Sequence, residues 1–372
     1  MKIVIGADFV PSDFNEQLFK DGNAEQIVGK EIYDIVKGAD LSIFNLEVAL
    51  SDHDSPIKKA GVALRADPAC INAYKDIGVD LLGVANNHVV DHGYEGFVST
   101  LNTIDAAGIA RVGGGFSEEE ASAPKIFEIE GKKIGVYACC EHEFSWVSDY
   151  GFGSNGFDPL VSLDQIAELK AQCDYVIVLY HGGKEHYPYP SPYLRRVCRK
   201  IAEKGADIVL CQHTHCIGAE EDWHGSKIIY GQGNFVFVKD REEYPFPLWF
   251  SGMLVTVDLT DDGAKYGYVT YKTVNDGIRI SDDPELLGGY RTRTEEIKVP
   301  GFVEDSFAKY AEKTIGGRYM KHMVGHPVDE EFMMARGKAI FSYIECEVHR
   351  EMIVTGMRKK LGLGIYGEFP KK

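Results

Sequence analysis

Residues able to bind metal recur at the same kind of place in this 372-residue chain, just after a short apolar run. Asp8 follows Lys2 to Ala7, Glu47 follows Leu41 to Phe44, and Asn86-Asn87-His88 follows Leu81 to Ala85. His181 follows Tyr175 to Tyr180, and His213-Thr214-His215 follows Ile208 to Cys211. Carboxylate, amide and imidazole donors in combination suit one or two divalent transition metal ions (Zn, Mn or Fe) better than calcium, which favours oxygen alone. One residue separates His213 from His215, and in extended chain that spacing puts both imidazoles on one side. Asn87 and His88 suggest a division of labour, the amide oxygen binding metal while the adjacent imidazole faces substrate. Asp91, three residues later, is placed to orient and charge His88. The alternative for Asn86-Asn87 is a plain turn, since Asn tolerates left-handed backbone.

The apolar runs themselves read as buried strands, joined by a further run at Ile134 to Ala138. Amphipathic stretches between them read as helices: Ala24 to Lys37, Pro68 to Ile77, Gly96 to Ala107, Leu163 to Ala171 and Pro192 to Lys204. Such alternation predicts an α/β class, a layered sandwich of mixed β-sheets flanked by helices. In open α/β sheets, sites form outside the carboxyl ends of strands, so residues distant in sequence converge on one edge. Farther on, Lys227 to Tyr230, Gly252 to Leu259 and Tyr266 to Thr273 alternate like antiparallel strands, with a turn at Asp261-Asp262-Gly263. From about Pro284 the sequence is charged and helix-favouring, notably over Val303 to Met323 and Asp329 to Leu361. The expected organisation is a core over 1–283 and a helical C-terminal extension over 284–372. In that extension Phe332, Met333, Phe341, Tyr343 and Met352 read as packing residues.

Other stretches carry weaker signals. Gly231-Gln232-Gly233-Asn234 lets the backbone turn closely past a site, with Asn234 hydrogen-bonding nearby or touching substrate. The run His186-Tyr187-Pro188-Tyr189-Pro190 is too rich in proline for a helix or central strand. It is expected to be a semi-rigid loop, either a surface connection or a substrate wall formed by Tyr187 and Tyr189. Gly113-Gly114-Gly115 lacks a dinucleotide-binding context, no phosphate-loop signature occurs, and neither Ser145 nor Cys139 or Cys140 sits in a nucleophile motif.

Bulk properties narrow the classes further. With 57 acidic against 40 basic residues the formal charge is −17, so nucleic acid would meet net repulsion. Lys58, Lys59 and the basic cluster at Arg195 to Lys200 read as solvated surface. Cysteines at 70, 139, 140, 173, 198, 211, 216 and 346 form no paired knuckles, which excludes a zinc ribbon and predicts free thiols in a reducing compartment. No window approaches the roughly 18 apolar residues of a membrane span, and the opening segment is too short for a secretory signal, so the chain reads as cytoplasmic.

The short motifs Asn45-Leu46-Glu47, Ala85-Asn86-Asn87-His88 with Asp91 and Gly93, His181-Gly182-Gly183, His213-Thr214-His215 and Gly233-Asn234-Phe235 come in the order of a known family. Over about residues 3 to 238 the chain resembles the CapA family of bacterial poly-gamma-glutamate capsule biosynthesis proteins, a branch similar to calcineurin-like metallophosphoesterases. The resemblance implies a metallophosphoesterase-like sandwich in which Glu47 bridges two metals. Asp8 and His215 would serve one metal, and Asn87, His181 and His213 the other, with His88 as the general acid. It also marks a departure: the broader phosphoesterases have Asp-x-His after the first strand, whereas Val10 stands here, one ligand fewer.

The leading expectation is a metal-dependent, phosphoesterase-like hydrolase acting on a small molecule or an anionic polymer. Its alternatives are a non-catalytic metal-binding accessory of poly-gamma-glutamate synthesis and a gamma-glutamyl amide hydrolase. The C-terminal helices leave a homo-oligomer open.

Overall fold

A computed structural model describes residues 1–323 and 336–362, with the side chains of Arg318 and Met323 left aside. The chain lays down its principal strands in three groups. The first, β1 (Lys2–Phe9), β2 (Leu41–Asn45), β3 (Leu81–Gly83) and β4 (Ala110–Val112), pairs in parallel in chain order. The second builds a separate sheet from β5 (Lys125–Ile129), β6 (Lys132–Cys140), β7 (Tyr175–His181), β8 (Ile208–Gln212), β9 (Glu220–Trp223) and β10 (Ser226–Ile229). Its spatial order is β9-β10-β8-β7-β6-β5, parallel in the middle with an antiparallel strand at each edge. The last group returns to the first sheet: β11 (Asn234–Val236) runs parallel to the end of β1, and β12 (Ser251–Thr260), β13 (Gly263–Val274) and β14 (Gly277–Ile280) add antiparallel pairing. Asp261-Asp262 makes the tight connection between paired Thr260 and Gly263, as expected.

Side-chain alternation explains why two sheets stack. Ile3, Ile5, Ile43, Leu81, Val136, Ile177, Leu179, Ile208 and Leu210 fill the space between them. Their strand neighbours Val4, Phe44 and Leu82 pack outward under α1 (Lys30–Lys37), α2 (Ile71–Ile77) and α3 (Gly93–Ala106). On the far side Val176, Val178 and Val209 pack under α4 (Ser162–Lys170) and α5 (Pro192–Glu203). The result is the expected layered sandwich of mixed sheets flanked by helices. A one-residue slip of any central strand would exchange its two buried faces and misplace whatever its end carries, which fixes register tightly.

Expectations for the first long helix, for Lys59 and for Phe341 need correction. The helix predicted over Ala24 to Lys37 is broken into Ala24–Val28 and Lys30–Lys37 at Gly29, whose φ is +78° and where a Cβ would come 2.8 Å from Arg279 Cδ. Lys59, read as solvated surface, is buried.

Strands give way to helices at α6 (Pro284–Glu296), followed by α7 (Phe302–Thr314), α8 (Lys338–Glu345) and α9 (Glu347–Lys360). These pack on the core: Tyr290 enters the inter-sheet layer, while Ile297 and Val303 join the layer outside the second sheet. Tyr343 and Met352 are buried as expected, Phe341 is exposed, and Phe332 and Met333 lie outside the described residues. No helix among the described residues is long and apolar enough to cross a membrane. All eight cysteines are buried and unbridged.

Candidate metal centre

Strand ladders set the first residues of the centre. Asp8 lies in register with Asn45 on one side and Asn234 on the other, so the carboxyl ends of β1 and β2 meet the start of β11. Asn45 donates to Asp8 Oδ1 at 2.7 Å, and Asn86 donates to Asn45 Oδ1 and to the Leu46 carbonyl. This amide chain carries the backbone from the end of β2 to Glu47, whose side chain is fully buried. Across the interface between sheets, β7 ends at His181, and the turn after β8 carries His213 and His215. The structure thus brings Asp8, Glu47, Asn87, His181, His213 and His215 together.

Their contacts sort into two groups that meet at Glu47. His181 Nε2 lies 3.0 Å from Asn87 Oδ1 and 3.2 Å from Glu47 Oε1, and the His181 and His213 rings are 4.9 Å apart. His215 Nδ1 lies 3.5 Å from Asp8 Oδ2 and 2.8 Å from Asn234 Oδ1. Ligand atoms of Glu47, His213 and His215 fall within 4.8 Å of one another.

The polar accounting is incomplete without a cation. Asp8 Oδ2, both Glu47 oxygens and His213 Nδ1 are buried with no hydrogen-bond partner among the described residues; the 3.2 Å His181 approach is an ion-pair distance without hydrogen-bond geometry. Each such group costs about 1–3 kcal/mol, more when charged, so a set of them facing one point is a demand for positive charge. Titration tells the same story. Burial opposes ionisation of Glu47, yet the charges of His215 and His181 hold its carboxyl well below the usual range. Burial also disfavours charged His213, but the Glu47 and Glu143 carboxylates draw a proton onto it, raising it to about 9. His181 is lowered, mainly by burial, towards the neutral imidazole that binds metal. A mixed oxygen and nitrogen set of this kind fits a divalent transition ion.

The His-x-His reading requires revision. Both histidines lie beyond the strand in left-handed backbone, with φ of +86° at His213 and +54° at His215, so the turn aims the rings instead of extended-chain alternation. Non-glycine residues in that region cost roughly 1–3 kcal/mol and concentrate at functional sites.

His88 sits beside this cluster with its Nδ1 2.6 Å from Asp91 Oδ2, and its side chain keeps 13% exposure where Asp91 has none. Lys59, which the sequence reads as solvated surface, forms a buried ion pair with Asp91, donates to the Asn87 carbonyl at 3.0 Å and lies 3.2 Å from His88 Nδ1. Burial opposes ionised Asp91, but His88 and Lys59 together hold its carboxyl below the usual range. Glu143 was missed as well. Its Oε2 accepts from Asn87 Nδ2 at 3.1 Å and lies 3.6 Å from His213 Nε2. The same rule that found the others would have found it, because Cys140-Glu141-His142-Glu143 follows the apolar run of β6.

The proline-rich loop does approach the centre, through His186, whose ring is 6.2 Å from that of His215 and stacks on Phe246. Tyr187 and Tyr189 are not brought to it. The Tyr187 hydroxyl donates to Ser306 at 2.9 Å and the Tyr189 hydroxyl to Glu296 at 2.5 Å, so both turn toward the C-terminal helices. Asn234, besides meeting His215, donates to the Trp249 carbonyl at 3.1 Å, and Gly233 before it has φ +74° with a virtual Cβ 2.4 Å from the Ser251 carbonyl oxygen.

Comparison with known proteins agrees with the motif order. A curated relative, the PGA biosynthesis protein CapA of Bacillus subtilis (strain 168), is 30% identical over 183 residues, 47% of each chain. A probable polyglutamine synthesis accessory protein of Mycobacterium tuberculosis (strain ATCC 25618 / H37Rv) is 24% identical over 211 residues, 53% of this chain and 55% of that one. The chain therefore spans about half the length of the curated relatives it matches. Among solved structures, a putative 5'-nucleotidase from Staphylococcus aureus superposes with a TM-score of 0.44 at 13% identity, covering 79% of this chain and 58% of that one. Residues 5–239 match the model of the bacterial capsule synthesis protein PGA_cap, and the chain belongs to that family.

Proposed function

We propose that the chain is a metal-dependent hydrolase acting on a phosphoester, with Asp8, Glu47, Asn87, His181, His213 and His215 holding one or two Zn, Mn or Fe ions. The observation that carries this reading is Glu47, a wholly buried carboxylate with neither oxygen hydrogen-bonded, facing histidines from two strand ends. Ions held there supply Lewis acidity to a phosphoryl oxygen and make an attacking water more acidic. The protein's own part is positional. Asn45 and Asn86 fix Asp8 and the Glu47 segment, Glu143 orients His213, and Asn234 orients His215. His88 is the proton donor to the leaving oxygen, aligned by Asp91, which Lys59 in turn holds in place. The test is elemental analysis of protein soaked in zinc and manganese, followed by a screen of phosphoesters and gamma-glutamyl amides. His181→Ala and His213→Ala should each reduce occupancy more than His224→Ala, an exposed control. Absence of any bound metal sinks the proposal.

A second reading, a metal-holding accessory of poly-gamma-glutamate synthesis without turnover, is favoured by Val10. It stands where the broader phosphoesterases have a further histidine, and it is buried in the apolar layer with its N–H donating to the Val236 carbonyl. The curated relatives' names point the same way. Full metal occupancy with no turnover on either substrate class selects it.

A further inference from the structure

We propose that Glu143, Cys346 and His349 form a second cation site, selective for a zinc-like divalent ion, at the seam between the sheet core and the C-terminal helices. The three come from distant parts of the chain, yet their ligand atoms lie within 4.8 Å of one another. His349 Nε2 is 3.7 Å from Glu143 Oε1, too long for a hydrogen bond. Ligand atoms around a tetrahedral ion with bonds of ~2.0–2.3 Å stand roughly 3.3–3.8 Å apart, so the His349–Glu143 pair has the separation of two ligands on one ion.

The surroundings favour the same ion. Cys346 occupies the N-cap position of α9, and both it and His349 are buried. Burial and the adjacent Glu143 and Glu141 carboxylates push its thiol up, so it ligates an ion by giving up its proton to the ion's charge. The Tyr319 hydroxyl lies 2.8 Å from His349 Nδ1, which holds the ring with Nε2 toward Glu143, the outer support that ligating histidines usually have. Thiolate, imidazole and carboxylate together select zinc or cobalt over magnesium, calcium or manganese, and three protein ligands leave a fourth position for water. Binding forms a metal–sulfur bond and releases the Cys346 thiol proton to solvent.

The site shares one residue with the candidate metal centre but not its chemistry. Glu143 turns Oε1 to His349 and Oε2 to Asn87 and His213, so an ion at the seam fixes the carboxylate that orients His213. The ligand set proposed for that centre contains no sulfur, which makes thiolate ligation a separate readout.

The experiment is cobalt(II) titration of the full chain, followed by near-ultraviolet absorption. Binding at the seam gives a thiolate-to-cobalt charge-transfer band that is lost in Cys346→Ser, weakened in His349→Gln and retained in Glu47→Ala. Cobalt bound to wild type with no such band overturns the proposal, as does a band that survives in folded Cys346→Ser. Should Cys346→Ser fail to fold, an unchanged band in His349→Gln overturns it. Failure of the hydrolase reading would show instead as unchanged metal content and turnover in Glu47→Ala.

Discussion

Residues 1–283 and the helices from Pro284 onward reach the same carboxylate–imidazole cluster by different routes. In the core, position comes from strand ladders: Asp8 pairs with Asn45 and Asn234, Asn45 with Gly83, and His181 with Cys140 and Gln212. Displacing one of these residues means breaking a sheet. The extension contributes through side chains, by packing and by hydrogen bonds such as Tyr187–Ser306 and Tyr189–Glu296, and not through strand ladders. Phe307, Ala311, Tyr319, Tyr343, Val348 and Met352 form a satellite apolar cluster that the core enters through Tyr187, and His349 reaches Glu143 from its edge. Ladder-held residues share the stability of the whole sandwich, whereas a docked helical layer can open locally at lower cost. Chemistry should therefore fail abruptly with changes in the core and gradually with changes in the extension.

The largest effect should come from Glu47→Ala. It removes the carboxylate where both contact groups meet, so metal occupancy by elemental analysis and turnover should both fall to background while the fold persists. Retained occupancy would place the ion elsewhere. Next comes His88→Asn, for which activity should drop by about a hundred- to ten-thousand-fold with metal content intact. Substrates with good leaving groups should suffer least, because they hardly need the proton. Equal loss on good and poor leaving groups, or loss of metal, would make His88 a ligand or a packing residue.

This division also explains what could be read from sequence. Apolar runs mark buried strands whose carboxyl ends lie along one edge, so the convergence of Asp8, Glu47, Asn87, His181, His213 and His215 was legible. Glu143 follows β6 by the same rule, but stands three residues beyond the strand's last residue, Cys140, with Glu141 and His142 between them. Three features carry no local signal. Lys59 looks like any surface lysine until Asp91, 32 residues away, is seen to bury it. The left-handed backbone at His213 and His215 has no signature in residue type, since neither is a glycine. The direction of Tyr187 and Tyr189 is set by Ser306 and Glu296, more than a hundred residues later, in helices whose docking face no motif announces.

Paired Tyr187→Phe and Tyr189→Phe substitutions sharpen the comparison at the seam. Each removes one hydroxyl hydrogen bond to the extension, the second a charge-assisted one, so together they should cost about 1–3 kcal/mol of stability. Thermal melting should show the loss while kcat, KM and substrate preference stay unchanged. A change of substrate preference at unaltered stability would return these tyrosines to the substrate wall.

The smallest effect should be the part of the seam's pH dependence that lies above neutral pH. Glu141 is buried beside the extension, its Oε2 3.9 Å from Cys346 Sγ. Burial first and the nearby Glu347 second push its carboxyl from 4.5 up to about 8. The folded state therefore holds a proton that the unfolded chain gives up, and folding stability falls as pH rises between those two values. The contribution is fully present below pH 4.5 and lost as pH passes through about 8. Glu143 has the opposite sign: burial opposes its ionisation, but His349 and His213 hold it at about 2, so its contribution fades only in acid and leaves the alkaline window to Glu141. One proton sets a ceiling of about 1.4 kcal/mol per pH unit in that window. In metal-free protein, hydrogen exchange in Glu347–Lys360 should quicken between neutral pH and pH 9, relative to the intrinsic rate, while the strands of the core stay protected. Glu141→Gln, neutral at every pH, should abolish that change. Loss of protection in the core strands at the same pH would show that the extension and the sandwich open together, and the contrast between ladder-held and packing-held residues would fall with it.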